Sequence, residues 1–215
     1  MALANHSDLV AAIQAFMMDR ADLAAVAPDF IALGEAVIHH GADANGALPE
    51  IPALRCRDME AVTLLSPVNG ACTLPADFLQ WRRVVEDVSP RRELDYIAPA
   101  AAEQLYAARA GGPANHFTII GASLFTFPRA AHQVELTYYA DVPALTALAP
   151  TNWLMTRNPG IYLRAALMQA AEYIKNDGEF QKQALLLRSL ISGMNRADNL
   201  ASQAKAGISV RRRVK

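Results

Sequence analysis

The hydrophobic pattern at the start of the chain predicts two helices. Apolar residues recur every three or four positions in both stretches, which is the spacing of one helix face. Ser7 and Asp8 have side chains that cap helix starts, and Pro28 stands where first-turn prolines are tolerated. Gly41 is a natural end for the second helix, because glycine adopts the left-handed conformation without steric cost.

The end of the chain shows the same helical periodicity. Asn158 followed by Pro159 predicts a capped helix start, and Asn176, Asp177 and Gly178 predict a break before the next helix. That last helix has an apolar seam with alternating spacings of four and three residues, which is typical of a helix packed on its neighbours. The seam consists of Phe180, Ala184, Leu187, Ile191 and Met194.

The middle of the chain has the short, alternating pattern of β-strands. Its strongest signal is a hairpin, in which the apolar run 117–120 turns at Gly121 into the run 124–127. An alanine-rich stretch from Ala98 to Ala110 predicts one short helix. The remaining candidate strands are Val62–Leu65, Ala71–Leu74, Trp81–Val88, Arg92–Ile97 and Val134–Tyr138.

These elements together predict an α+β fold, mainly α, in which a helical bundle carries an inserted small antiparallel β-sheet. One domain is expected over residues 1–206, with helices in residues 7–40 and 151–206 and the sheet in about residues 56–142. Residues 207–215 are expected to form an extended basic C-terminal tail.

The composition favours a folded intracellular protein. Hydrophobic residues make up 53% and charged residues 19% of the 215 residues, which supports a packed core. The apolar runs are too short for a membrane span, and residues 1–18 lack the basic start of a secretory signal. The two cysteines form no CxxC pattern, which is typical of a reducing compartment.

Charge is distributed unevenly along the chain. Residues 1–90 carry 12 acidic and 5 basic side chains, whereas residues 91–215 carry 9 acidic and 15 basic ones. The last sixteen residues contain five basic side chains and no acid. This asymmetry indicates contact with a charged partner at one end of the protein, and a solvated tail is the alternative.

Signals for catalysis and for metal binding are weak. The sequence contains no GxSxG, no phosphate-binding glycine-rich loop and no HExxH. His39 and His40 could bind zinc with Cys56 and Cys72, but neighbouring helical residues point about 100° apart and the spacing fits no common zinc pattern. We therefore expect no metal, no cofactor and no catalytic residue.

Other reactive groups have simpler structural explanations. Cys72 would need His116 or His132 beside it to act as a nucleophile, and a buried structural thiol is the alternative. Two carboxylate pairs are acid–base candidates, with solvated surface charge as the alternative. They are Asp58 with Glu60 and Glu86 with Asp87.

Two aromatic features and the tail are candidates for partner contacts. Trp153 follows Asn152 in a proline-bounded loop, where it could anchor the loop on the core or contact a partner. Tyr138 and Tyr139 place one ring on each face of a strand, so one is expected in the core and the other outside.

The tail combines a strand-like pattern with positive charge, so it could add a strand to the sheet edge of a partner. The alternative is that its arginines bind a phosphate backbone. The candidate binding residues of the tail are Ile208, Val210, Arg211, Arg212, Arg213 and Lys215.

The chain resembles the head-to-tail adaptor, or connector, proteins of tailed bacteriophages and gene transfer agents. The most specific segments are LTYYADVPAL, PTNWLMTRNPGIYLRAAL and EYIKND, in this order and spacing. Weaker likeness covers APDFIALGEAVI, LPADFLQWRRV, LDYIAPAAAEQLY and HFTIIGASLFTF.

The resemblance implies a structural virion protein that forms a ring of about twelve copies beneath the portal protein. Such a ring extends the DNA channel without sequence-specific DNA binding and docks a stopper or tail protein. We expect assembly in the host cytoplasm and a final location in the neck of the virion. The alternatives are a stopper or tail-completion protein of the same neck, or a nucleic-acid-binding protein that uses the basic tail. The latter is disfavoured by a pI near 6.5.

Overall fold

The computed structural model describes residues 3–18, 21–44, 49–106, 112–129 and 132–203. Within them the fold is α+β, as the sequence predicted. The six α-helices are α1 (His6–Phe16), α2 (Ala27–His40), α3 (Pro99–Tyr106), α4 (Trp153–Arg157), α5 (Pro159–Tyr173) and α6 (Asp177–Gln203). The eight strands are β1 (Glu60–Leu65), β2 (Ala71–Thr73), β3 (Phe78–Glu86), β4 (Arg92–Glu93), β5 (Asp95–Tyr96), β6 (His116–Ile120), β7 (Ser123–Phe127) and β8 (Val134–Ala140).

The chain divides into two compact units. One is a helical unit of residues 1–58 and 142–215, and the other is a β unit of residues 59–141. The arrangement predicted from the sequence, one domain over residues 1–206 and a tail beyond it, stays a prediction.

The helical unit is organised around α5, which is buried along most of its length between α2 and α6. Gly34 of α2 lets the two helices approach closely, since an added Cβ at this position would lie 3.0 Å from the Cβ of Ala165. The predicted seam of α6 is confirmed, because Ala184, Leu187 and Ile191 are buried. None of the described helices has both the length and the hydropathy needed to cross a bilayer.

Several helices begin and end near the predicted residues, but the side chain of Asn158, predicted to cap α5, makes no capping hydrogen bond. Gly41 ends α2 with φ 75°, and its N–H donates to the carbonyl of Val37 at 2.8 Å. At α1 the predicted cap is wrong. Asn5 is the N-cap, and its Oδ1 accepts from the N–H of Asp8 at 2.9 Å, so Ser7 already lies inside the helix. Asn has the same capping chemistry as Ser and Asp, which is why sequence alone did not separate them.

The β unit contains two four-stranded sheets where the sequence predicted one. Their strand orders are β1-β8-β3-β4 and β2-β7-β6-β5. The predicted hairpin is the antiparallel pair β6–β7, whereas β5 pairs with β6 in parallel. Between the sheets lies an apolar core that includes Phe117, Leu124 and Leu136.

The predicted strand Arg92–Ile97 is divided between the two sheets. Arg92 and Glu93 pair with β3, whereas Asp95 and Tyr96 pair with β6. Leu94, at the division, is buried in the core, and its N–H donates to the carbonyl of Val84 at 2.9 Å. The segment therefore crosses from one sheet to the other at a single buried leucine.

Candidate partner-binding surfaces

An exposed leucine lies on a well-held loop of the helical unit. Residues 142–152 connect β8 to α4, and the side chain of Leu148 is 98% exposed. The loop is closed by a local turn, in which the N–H of Thr146 donates to the carbonyl of Ala149 at 3.1 Å. In return the N–H of Ala149 donates to the Thr146 hydroxyl at 3.0 Å. Leu148 is therefore a single exposed apolar side chain on a loop that is held by hydrogen bonds.

A buried polar cluster fixes this loop to the helices. Glu35 of α2 accepts from the N–H of Leu145 at 2.7 Å and from the hydroxyl of Tyr162 at 3.2 Å. The same hydroxyl accepts from Nδ2 of Asn152 at 2.7 Å, and Nδ2 also donates to the carbonyl of Pro143 at 2.6 Å. The cluster thus connects both ends of the loop to α2 and α5.

The buried environment of this cluster shifts the pKa values of two of its side chains. Burial raises the pKa of Glu35, although the bonds from Leu145 and Tyr162 partly oppose the rise. Burial also raises the pKa of the Tyr162 hydroxyl, which therefore stays a hydrogen-bond donor throughout the physiological range. The sequence pointed to Asn152 but gave no sign of its partners, because Glu35 lies more than a hundred residues away along the chain.

Trp153 is the first residue of α4 and is half-buried. Asn152 caps this helix, since its Oδ1 accepts from the N–H of Met155 at 2.9 Å. The sequence did not predict this short helix, in which Trp153 is partly accessible. A partner contact for Trp153 stays a prediction.

The end of α6 is attached to the segment that precedes β1. Asn195 receives a bond from the N–H of Arg55 at 2.8 Å and donates to the carbonyl of Ala53 at 2.9 Å. One turn later, Asp198 accepts from the N–H of Arg57. These bonds hold the last turns of α6 in place immediately before the basic tail.

The predicted tail residues lie outside the described residues. They are Ile208, Val210, Arg211, Arg212, Arg213 and Lys215.

The β unit carries an exposed aromatic stack that the sequence analysis missed. Trp81 of β3 and Tyr96 of β5 stack with ring centroids 5.8 Å apart and planes inclined by 14°. Both rings contact the buried Phe117 edge-on. The paired tyrosines behave as predicted, because Tyr138 is buried and Tyr139 points to the other face beside Arg82.

The side chains considered above as reactive groups have contacts that fit a structural role. Burial raises the pKa of the Cys72 thiol, which keeps it protonated and weakly nucleophilic near neutral pH. His116, a candidate base for it, has its Nδ1 2.7 Å from the Tyr106 hydroxyl. Among the described residues, no group of three or more His, Cys, Asp or Glu side chains is arranged to hold a metal ion.

The candidate carboxylates take part in ion pairs or lie in the core. Asp58 pairs with Arg157, Glu60 with Arg82, and Asp87 with Arg91. Glu86 is fully buried, and its Oε1 accepts from the N–H of Ala114 at 3.2 Å. The three ion-paired carboxylates are thus parts of the fold, whereas Glu86 is not the solvated surface charge considered from the sequence, and its Oε2 has no hydrogen-bond partner among the described residues.

Comparison with known protein families gives one match that covers nearly the whole chain. Residues 4–213 match the family described as SU10 adaptor protein. No protein with curated annotation matches the chain significantly.

Proposed function

The chain belongs to the SU10 adaptor protein family, and from this premise we propose that it is a head-to-tail adaptor of a phage or phage-derived particle. Its copies form a ring, about twelve in number, beneath the portal protein. The ring extends the DNA channel and docks a stopper or tail protein at its other end. The family is structural rather than catalytic, so the proposed activity is assembly and not a reaction.

The observation that carries this proposal is the family match over residues 4–213, which includes both units. Two features of the described residues support it. The loop at Leu148 and the half-buried Trp153 offer apolar contacts, and Asn195 attaches α6 to the segment before β1. A protein that works by binding needs surfaces of this kind.

We place portal binding in the tail, at Ile208, Val210, Arg211, Arg212, Arg213 and Lys215. Alternating Ile208 and Val210 suit addition of a strand to a sheet edge of the portal, while the arginines suit carboxylates beside that edge. Trp153 is a second proposed contact, with the protein docked beside the ring.

The test is to mix this chain with the portal ring of the same particle and weigh the complexes by mass photometry. We expect a stable complex with about one copy per portal subunit. Deletion of residues 207–215 should abolish attachment, while circular dichroism and the thermal midpoint stay unchanged. The matched control replaces Arg211, Arg212 and Arg213 by glutamine, which removes the charge but keeps the strand-forming residues.

Each outcome has a defined meaning. Unchanged portal affinity after the deletion would show that the tail is not the portal-binding segment. A complete lack of complex at micromolar concentration would contradict the adaptor role and would favour a stopper or tail-completion protein. Tight DNA binding that falls steeply with salt and disappears with the tail would instead favour a nucleic-acid-binding protein.

A further inference from the structure

On the face of α6 opposite its buried seam, side chains of this helix alone border a shallow, open depression, called here the α6 groove. Leu185 on this face is 54% exposed. A second groove, which shares Ser192 and Arg196 with the first, continues it towards the end of the helix. The lining residues of the first groove are Leu185, Arg188, Ser189, Ser192, Gly193 and Arg196.

Among the described residues of the helical unit, no contact requires a glycine at position 193. It lies in the interior of α6, and a Cβ added there would meet no heavy atom within 4 Å. Glycine in a helix interior costs about 0.5–1 kcal/mol relative to alanine. The open space at Gly193 can receive an apolar side chain of another molecule, which gives a reason for the glycine.

The groove is flanked by positive charge. Arg188 and Arg196 form no ion pair with any acidic side chain in the described part of the chain. These arginines beside Leu185 suit a partner that presents a carboxylate next to an apolar side chain.

The exposed face of α2 has that complementary composition. Leu33 is 54% exposed, and the small residues Ala32 and Ala36 lie on the same exposed face. Asp29 stands one turn before Leu33, and its carboxylate has no ion-pair partner among the described residues. The face therefore presents one protruding leucine, an acidic group and room for close approach.

We propose that α2 of one copy of this chain packs into the α6 groove of the next copy, with Leu33 against Gly193. Two different faces of each copy meet in this contact, which is the heterologous arrangement that closes a ring. The inference rests on the proposed ring-forming function and gives that ring its subunit interface.

The helical rise supports this pairing. Leu33 is about 6 Å from Asp29 along the axis of α2, and Gly193 is about 4.5 Å from Arg196 along the axis of α6. Because Asp29 precedes Leu33 whereas Arg196 follows Gly193, packing α2 antiparallel to α6 brings Asp29 near Arg196. The uneven charge of the sequence, acidic before residue 90 and basic after it, is consistent with the same contact.

Disulfide cross-linking on the assembled ring tests the contact. The double variant Leu33→Cys/Ser192→Cys is bound to the portal ring and oxidised, and the products are separated by denaturing electrophoresis. We expect a ladder of covalent multimers, because each copy joins two neighbours, and no ladder from either single variant. The native Cys56 and Cys72 do not compete because both are buried.

Exchanging the charges across the proposed contact tests it independently. Asp29→Arg alone and Arg196→Glu alone should each weaken ring assembly about tenfold, and combining them should restore it. A ring that forms on the portal but gives no ladder of covalent multimers would overturn this contact alone. A ring whose assembly is unchanged by both charge reversals would also overturn this contact alone. The absence of any ring on the portal would overturn the proposed function together with the contact.

Discussion

Replacing Tyr162 by phenylalanine tests how the buried cluster holds the exposed loop. The variant loses only the hydroxyl, which accepts from Asn152 Nδ2 at 2.7 Å and donates to Glu35 Oε1 at 3.2 Å. The ring is 1% exposed, so water cannot replace these bonds without local opening. A hydrogen bond to a charged group contributes about 1.5–3 kcal/mol, whereas a neutral one contributes about 0.5–1.5 kcal/mol.

Part of the loss is offset locally. Asn152 Nδ2 keeps its bond to the carbonyl of Pro143, and Glu35 keeps the bond from Leu145. We therefore expect the free energy of unfolding to fall by about 2 kcal/mol. For a chain of this length that corresponds to a fall in the thermal midpoint of about 4–8 °C.

The assay is urea unfolding followed by circular dichroism, together with the rate of proteolytic cleavage within residues 143–151. Tyr173→Phe is the matched control, because Tyr173 lies on the same helix but is 57% exposed. It should change stability by less than about 0.5 kcal/mol. Equal stability of the two variants, or unchanged loop cleavage in Tyr162→Phe, would refute the role given to the cluster.

Two further predictions concern buried groups of the helical unit. Burial raises the folded-state pKa of Glu35 above its usual value near 4.5, so the protonated form favours folding as the pH falls through that raised pKa. The stability of the wild type relative to Glu35→Gln should therefore increase from neutral pH down to about pH 4.5, and parallel pH profiles of unfolding would contradict this. Gly34→Ala should destabilise by about 1–3 kcal/mol, because its Cβ would lie 3.0 Å from that of Ala165. In contrast, Gly193→Ala should stabilise the isolated protein by about 0.5–1 kcal/mol. If thermal unfolding gave the Gly34→Ala and Gly193→Ala variants the same stability, the packing argument would be wrong.

The elements that the sequence identified are those whose signals are local. The seam of α6 and the end of α2 at Gly41 depend on residues within a few turns of each other, and both are as predicted. The β6–β7 hairpin was equally visible, because its strands are adjacent in the chain and Gly121 turns with φ 58°. The family resemblance came from ordered local segments of this kind.

Other features depended on residues far apart in the chain. The sequence did not place Glu35 beside Leu145 and Tyr162, nor divide Arg92–Ile97 between two sheets at Leu94. Periodicity and caps report which residues share a helix face or a turn, since these depend on backbone geometry over a few residues. Only the tertiary fold decides which faces are covered and which carboxylates lose water, because burial depends on packing between distant segments.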